Sequence, residues 1–329
     1  MIINGIEQGL CLYSYTQQVI EQQGFGLEQM FAAMNRFGVT KYEITGPQSF
    51  DAYPRPSASE IENVLRLSEE YGVEPFGYGA YVDWGTVSGH TPEPEDVLFY
   101  LTADLMTARD LGCSTMRGSE LPLHLLPRIA DLAEKYGVNI GYEVHAPHQP
   151  SDAKVQALLE AFDAVGSDRL GFIPDFGCFI ERPAEPALRR YESKGATRDN
   201  LEYIIANRHS GKSPEELEDE VNAMGGGLGE KMAISELFGY LSFGPADIEG
   251  FTTIIRRSHY FHSKFYHVTA DLVEPQIPLA RLLDAIVDAS GGGVLLSEYE
   301  GHAFAADDAD EQLDRHYRLE QAILQSPRS

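Results

Sequence analysis

Cysteine is scarce in this chain of 329 residues: Cys11, Cys113 and Cys178 are scattered, each in or just after an apolar run. Three such residues cannot build a disulfide scaffold, so reduced thiols are expected. Basic charge is short as well, with 25 lysines and arginines against 51 acidic residues and a formal net charge of -26. A chain of this sign repels phosphate backbones and anionic lipid, which makes nucleic acid and membrane surfaces poor partners. No apolar run reaches the roughly 18 residues of a membrane-spanning helix. No basic-then-apolar leader opens the sequence either, because Met1 to Leu10 already carries Asn4, Glu7 and Gln8. A cytoplasmic protein is expected. Nucleotide fingerprints are also missing: Gly225-Gly-Gly-Leu-Gly229 follows no strand, and Gly211-Lys-Ser213 lacks the earlier loop glycine, since position 206 is Ala206.

What the chain does have is alternation of short apolar runs with longer segments of helical period. Gly9 to Tyr15 reads as a first strand. Leu27 to Phe37 follows with Leu27, Met30, Phe31, Met34 and Phe37 on one face and closes on Gly38. Lys41 to Thr45 and a helix from about Ser59 to Tyr71, closed by Gly72, form the second unit. Further strands are expected at Val73 to Ala80, Cys113 to Arg117, Val138 to Glu143, Leu170 to Asp175, Ser258 to Val268 and Val294 to Tyr299, with helices between them. Eight such units in order predict one α/β domain over 1–329, a (β/α)₈ TIM barrel.

One segment breaks the rhythm. Roughly eighty residues separate Asp175 from the seventh strand, about twice what a barrel unit needs. Residues 181–243 are polar and punctuated by Pro and Gly, with helical patches near Arg198 to Asn207 and Pro214 to Met224. A helical insertion on the barrel rim between strands 6 and 7 is expected, either an idle solvated one or one that serves as lid or docking surface.

Side chains suited to chemistry gather at strand ends. Gly141-Tyr-Glu143-Val-His145-Ala-Pro-His148 packs a carboxylate and two imidazoles into six residues, the sixth strand runs into Asp175, and the eighth runs into Glu298, Glu300 and His302. In a parallel barrel these ends meet at one rim. Three carboxylates crowded there repel one another, and a divalent cation is the usual way to keep them ionised. The seventh strand should add a ligand: His262 is the choice, with His267 its competitor. Carboxylates with one imidazole form a hard set that favours Mn²⁺, with Mg²⁺ next, over thiolate-bound zinc, although Cys178 lies close in sequence. The plainer account is a ring of salt bridges with Arg117 and Lys264. His145, in the same way, is either a proton carrier or a histidine that merely bonds a neighbouring carbonyl. Tyr13, Arg117, Lys264, Glu300 and His302 are expected substrate contacts from their rim positions, and His148 is left without a role.

The strand order and the Glu, Asp, His, Glu set resemble the xylose isomerase-like TIM-barrel superfamily of sugar phosphate isomerases and epimerases, over nearly the whole chain. The strings Leu12-Tyr-Ser-Tyr15, Gly141-Tyr-Glu-Val-His-Ala-Pro147, Gly171-Phe-Ile-Pro-Asp-Phe-Gly177, His262-Ser-Lys-Phe-Tyr266 and Ser297-Glu-Tyr-Glu-Gly301 resemble a narrower branch, which includes the α subunits of bacterial C-glycoside deglycosidases. The resemblance implies Glu143, Asp175, His262 and Glu298 as metal ligands and His145 as the acid/base residue. It also implies a lyase acting on 3-keto-C-glucosides, O-glucosides included, by proton abstraction at C2 and β-elimination of the aglycone, with a small separately encoded β subunit in a hetero-oligomer. A sugar isomerase or epimerase uses the same opening step and is the alternative. Many superfamily members carry a histidine three residues after the Asp ligand where this chain has Cys178, which argues against a multi-zinc site.

Overall fold

The computed structural model describes residues 2–80, 92–118, 121–239, 241, 243–305 and 307–326. Its eight parallel strands are β1 (Ile6–Cys11), β2 (Lys41–Thr45), β3 (Glu74–Gly79), β4 (Thr115–Gly118), β5 (Asn139–Val144), β6 (Leu170–Pro174), β7 (Phe261–Phe265) and β8 (Gly293–Tyr299). Successive strands pair from β1 to β6, and β8 lies between β1 and β7. Between β6 and β7 the described residues make just two isolated bridges, Phe172 with Ser258 and Asp175 with His262. The ring is therefore a nearly closed barrel of the expected (β/α)₈ kind, with a two-residue strand, Ile2–Ile3, folded back antiparallel on β1.

Local chemistry explains most of the elements. The helices Leu27–Phe37 and Ala58–Tyr71 both stop where the chain turns left-handed, at Gly38 (φ 73°) and Gly72 (φ 65°). Only glycine takes that conformation without steric cost, and it lets the next N–H bond back to the last helical carbonyls. Two strands end elsewhere than their pattern suggests. β1 starts at Ile6 because Gln8, polar in sequence, is buried and donates to Glu320 at 2.7 Å. It stops at Cys11 because Leu12–Tyr15 coil into a 3-10 turn whose Ser14 Oγ accepts from the Tyr299 N–H at 2.9 Å. β7 is shorter than Ser258 to Val268, since Ser258 is tied to the preceding helix and the Val268 N–H leaves the sheet to donate to Gln312 (2.8 Å).

Apolar residues fill two spaces. The larger core lies between the barrel and its helices, with Tyr42, Ile44, Phe172 and Leu295 among its fully buried members. Their strand neighbours point the other way, and Cys11, Ile173, Tyr260 and Leu296 form a small separate cluster inside the barrel, with Phe76 and Val294 against it. That plug carries the polar layer of the site.

Four helices, Glu185–Ser193, Arg198–Asn207, Pro214–Ala223 and Leu228–Gly239, occupy the long segment between β6 and the short helix Ile248–Ile254. Two were legible from their period. The other two are held by tertiary contacts: the Glu230 carboxylate, 1% exposed, accepts from the Thr197 and Gly227 N–H groups and from Asn200. Leu188, Tyr191, Leu201, Leu217 and Leu237 are buried with them. Among the described residues no helix is long and apolar enough to cross a membrane.

Candidate active site

Strand alternation sends Glu43 of β2, Arg117 of β4, Glu143 of β5, His262 and Lys264 of β7 and Glu298 of β8 to the barrel interior, where Asp175 joins them from the end of β6. All seven are nine-tenths or more buried. Arg117 donates through Nε to Glu43 (2.9 Å) and through Nη1 to Glu143 (2.6 Å). Gly79 makes room for this pair, since a Cβ there would lie 2.8 Å from Arg117 Nη2 and 2.9 Å from Glu43 Oε1. His262 sits between carboxylates, Nε2 2.8 Å from Glu43 and Nδ1 3.0 Å from Glu143, with Glu298 Oε2 at 3.6 Å from Nδ1. Lys264 Nζ reaches Asp175 (2.7 Å), Glu300 (3.1 Å) and Glu298 (3.3 Å).

The salt-bridge ring that the plainer reading expects is therefore present, but it does not balance. Glu43, Glu143, Asp175 and Glu298 carry four negative charges against the two fixed positive charges of Arg117 and Lys264. Burial would raise all four carboxyls, and the neighbours decide the outcome. Arg117 and His262 hold Glu43 at about 2 and Glu143 well below the usual range, and Lys264 and His262 keep Glu298 low. Asp175 stays raised, because burial together with Glu298 and Glu143 outweighs Lys264 and His145. Burial would strip the His262 proton, but Glu43 and Glu298 push its pKa well up instead. Without a metal, the layer holds a proton there to offset its excess charge.

These residues fit a divalent cation. Glu143, Asp175 and His262 each offer a donor atom within 4.8 Å of the others, and so do Cys11, Glu43 and His262. Asp175 Oδ2 and Glu298 Oε2 are buried with no partner in hydrogen-bond geometry, although Lys264 lies close to both. Two unbalanced negative charges match a dication. Glu43 accepting from the Nε2–H of His262 would leave Nδ1 with a lone pair facing Glu143 and Glu298, the carboxylate–imidazole arrangement that orients a metal ligand. Cys178 is not part of the cluster: its thiol donates to the Val144 carbonyl at 3.0 Å.

Above this layer opens a polar cavity of about 490 Å³, lined by Tyr13, Arg117, Tyr142, Glu143, His145, His148, Lys154, Lys264, Glu298 and Glu300. His145 stands at its edge, about half exposed, with Nδ1 2.7 Å from the Ala146 carbonyl and Nε2 3.0 Å from Lys264 Nζ. A carbonyl and an ammonium fix the roles: Nδ1 carries the hydrogen, and the Nε2 lone pair accepts from Lys264 Nζ at the edge of the cavity. The carbonyl contact and a proton-carrying role are thus compatible. Of the expected substrate contacts, Tyr13, Arg117, Lys264 and Glu300 line the cavity. His302 stands behind Tyr13 instead, 5.6 Å from it ring to ring. His267 is turned away, Nδ1 3.3 Å from Asp307, which leaves His262 as the histidine of β7 at the centre. His148 faces the cavity and Asp152 (3.5 Å).

Glu43 is not among the residues expected from the sequence, and neither is Tyr260, whose hydroxyl donates to it. The available signal was an acidic residue between Tyr42 and Ile44 in the middle of a strand. Here the β2/β3 register slips, Tyr42 facing Pro75 and Glu43 facing Gly77. Pro75 cannot donate to the ladder, and a bulge beside it is a common result.

The family model described as Xylose isomerase-like TIM barrel matches residues 31–194. Relatives of similar length match almost end to end. The 3'-dehydrocarminate deglycosidase alpha subunit of a Microbacterium species is 29% identical over 331 residues, covering 96% of this chain and 94% of the relative. A C-glycoside deglycosidase alpha subunit of Arthrobacter globiformis is 27% identical over 332 residues, covering 97% and 93%. Among solved structures, a sugar phosphate isomerase/epimerase from Parabacteroides distasonis superposes with a TM-score of 0.58 at 12% identity, over 98% of this chain and 96% of that one, a likeness of fold alone.

Proposed function

We propose that this chain, which matches the xylose isomerase-like TIM-barrel model over residues 31–194, is a metal-dependent carbon–carbon lyase, the catalytic α subunit of a C-glycoside deglycosidase that acts on 3-keto-C-glucosides and also on O-glucosides. The observation that carries this reading is His145: its tautomer is set by the Ala146 carbonyl, and its basic Nε2 accepts from Lys264 at the cavity edge, beside the buried carboxylate and imidazole cluster. End-to-end similarity to subunits named as deglycosidases supports the choice of substrate class.

Glu143, Asp175, His262 and Glu298 would hold a divalent cation, Mn²⁺ by the hardness of the donor set, which would supply Lewis-acid stabilisation of negative charge developing on the substrate. In a 3-keto-glucoside the C2 proton is acidified by the adjacent carbonyl. His145 Nε2, once Lys264 turns its hydrogen to the carboxylates that hold it, takes that proton, and the Ala146 carbonyl, still accepting from Nδ1–H, stabilises the imidazolium that results. The C2–H electron pair becomes the C1=C2 bond as the C1–aglycone bond breaks, and the aglycone carbon leaves with its electron pair. The imidazolium returns the proton to that carbon, so protons balance and no oxidant is consumed. Lys264, held by Asp175, Glu298 and Glu300, is positioned to keep negative charge in place near the sugar, and Tyr13 and Arg117 contribute to the sugar cavity.

The relatives' designation as alpha subunits supports a small β subunit as partner. Purified chain, with and without that subunit, should release aglycone from a 3-keto-C-glucoside, followed by chromatography. Epimerisation of a free keto sugar with no aglycone released by either preparation would overturn the lyase reading in favour of an isomerase or epimerase, which shares the first step.

A further inference from the structure

A second cavity, of about 260 Å³, adjoins the polar one, and the two share His145, Ala146 and Glu300. Its walls differ in kind. Ile180, Pro183, Leu241 and Phe243 come from the long segment between β6 and β7, while Tyr266 and Phe304 close the other side. The Ile180 carbonyl of this wall is occupied elsewhere, accepting from Gly244 N–H at 3.0 Å. Polar groups capable of meeting a ligand hydroxyl lie at the shared mouth, on Glu300 and His145, and Tyr266 adds a hydroxyl to the wall of the second cavity.

The geometry points to this apolar cavity as an aglycone subsite for a flat aryl group that carries a hydroxyl on its sugar-linked edge. A site with apolar walls and a few polar atoms at one end binds an amphipathic ring and orients it. Seated there, the ring presents the carbon bonded to the sugar at the junction, beside the imidazole that serves both cavities. The segment 181–243 then selects substrates. The assignment of a leaving group to this cavity rests on the deglycosidase reading; the affinity of the cavity for an aryl group does not.

Two variants test it. Ala303 is an exposed residue of the cavity wall, so Ala303→Trp fills the space with little risk to the fold, and Phe243→Ala widens it. Rates are measured on methyl and 2-naphthyl 3-keto-β-glucosides, and binding of free 2-naphthol to the chain alone is followed by fluorescence. Ala303→Trp should lower kcat/KM for the naphthyl substrate about 10-fold or more, mainly through KM, and change the methyl substrate by less than about twofold. Phe243→Ala should shift the preference toward bulkier aryl groups. Equal effects on both substrates, or none, with 2-naphthol binding unchanged by Ala303→Trp, overturn the subsite while leaving the deglycosidase reading standing. Naphthol binding that Ala303→Trp abolishes, in a protein that cleaves neither substrate, keeps the aryl site and overturns the lyase reading.

Discussion

Replacing Glu43 with Gln tests the arrangement most directly, because this residue touches no cavity yet is bonded to three groups of the site. Its carboxylate receives hydrogens from Arg117 Nε, His262 Nε2 and the Tyr260 hydroxyl. Gln has the same shape but one acceptor oxygen, and its amide N–H groups face at least one of those donors. One buried donor is then unpaired and one ion pair is lost, which together cost about 3 kcal/mol. The carboxyl pKa gives the same scale: about 2 against an ordinary 4.5 is worth about 3 kcal/mol at ~1.4 kcal/mol per unit. A depressed carboxyl pKa gives stability that is present above 4.5 and is lost as pH falls through 2, so at pH 7 the whole amount is at stake. With an unfolding entropy of about 2.1 cal/mol/K per residue, the melting temperature of EDTA-treated protein should fall by roughly 4 °C. Mn²⁺ affinity by calorimetry should weaken about 10- to 100-fold, the usual effect of removing the partner that orients a ligating imidazole. A variant that melts with the wild type and binds Mn²⁺ equally well would refute the role given to Glu43.

His145→Ala should keep Mn²⁺ binding in calorimetry and lose about 10²- to 10⁴-fold in turnover, the range for a removed general base. Near-normal turnover would move the base to His148, Lys264 or Glu300. Asp175→Asn keeps an oxygen for the Gly177 N–H (2.6 Å) but removes a buried charge, and it should weaken Mn²⁺ by more than the ~10-fold typical of an outer partner. Glu320 has its pKa raised by burial from 4.5 to about 7, so its folded form keeps a proton that the unfolded chain loses. Stability should therefore fall by about 3 kcal/mol as pH rises from 4.5 to 7 and level off above it. Glu320→Gln, whose amide Ser263 can accept by reversing its hydroxyl, should flatten that profile in melting scans; an unchanged slope would exclude Glu320 as its source.

The repeat was legible because its signals are local. Helix faces such as Leu27 to Phe37, closing glycines such as Gly38 and Gly72, and short β-rich runs need only neighbours in sequence to be read, and their order implies a parallel barrel. That topology brings Glu143, Asp175 and Glu298 to one rim, so their convergence was readable as well. Strand ends were not: Gln8 reads as polar until Glu320 is found beside it, and the helix Leu228–Gly239 depends on Glu230 reaching Thr197 and Asn200.

By itself, then, the sequence determined the eight units, the acidic rim and His145 beside Glu143. Tertiary structure decided which histidine in or beside β7 reaches the centre, since His259, His262 and His267 differ only in what surrounds them once the barrel closes. It also decided that Glu43 is part of the buried layer, through contacts with Arg117, Tyr260 and His262 up to 219 residues away. The wall that 181–243 gives to an apolar cavity is likewise tertiary. Periodicity reports which face a side chain takes; which charge or imidazole it meets there depends on chain closure, and electrostatic partners are set by distance in space.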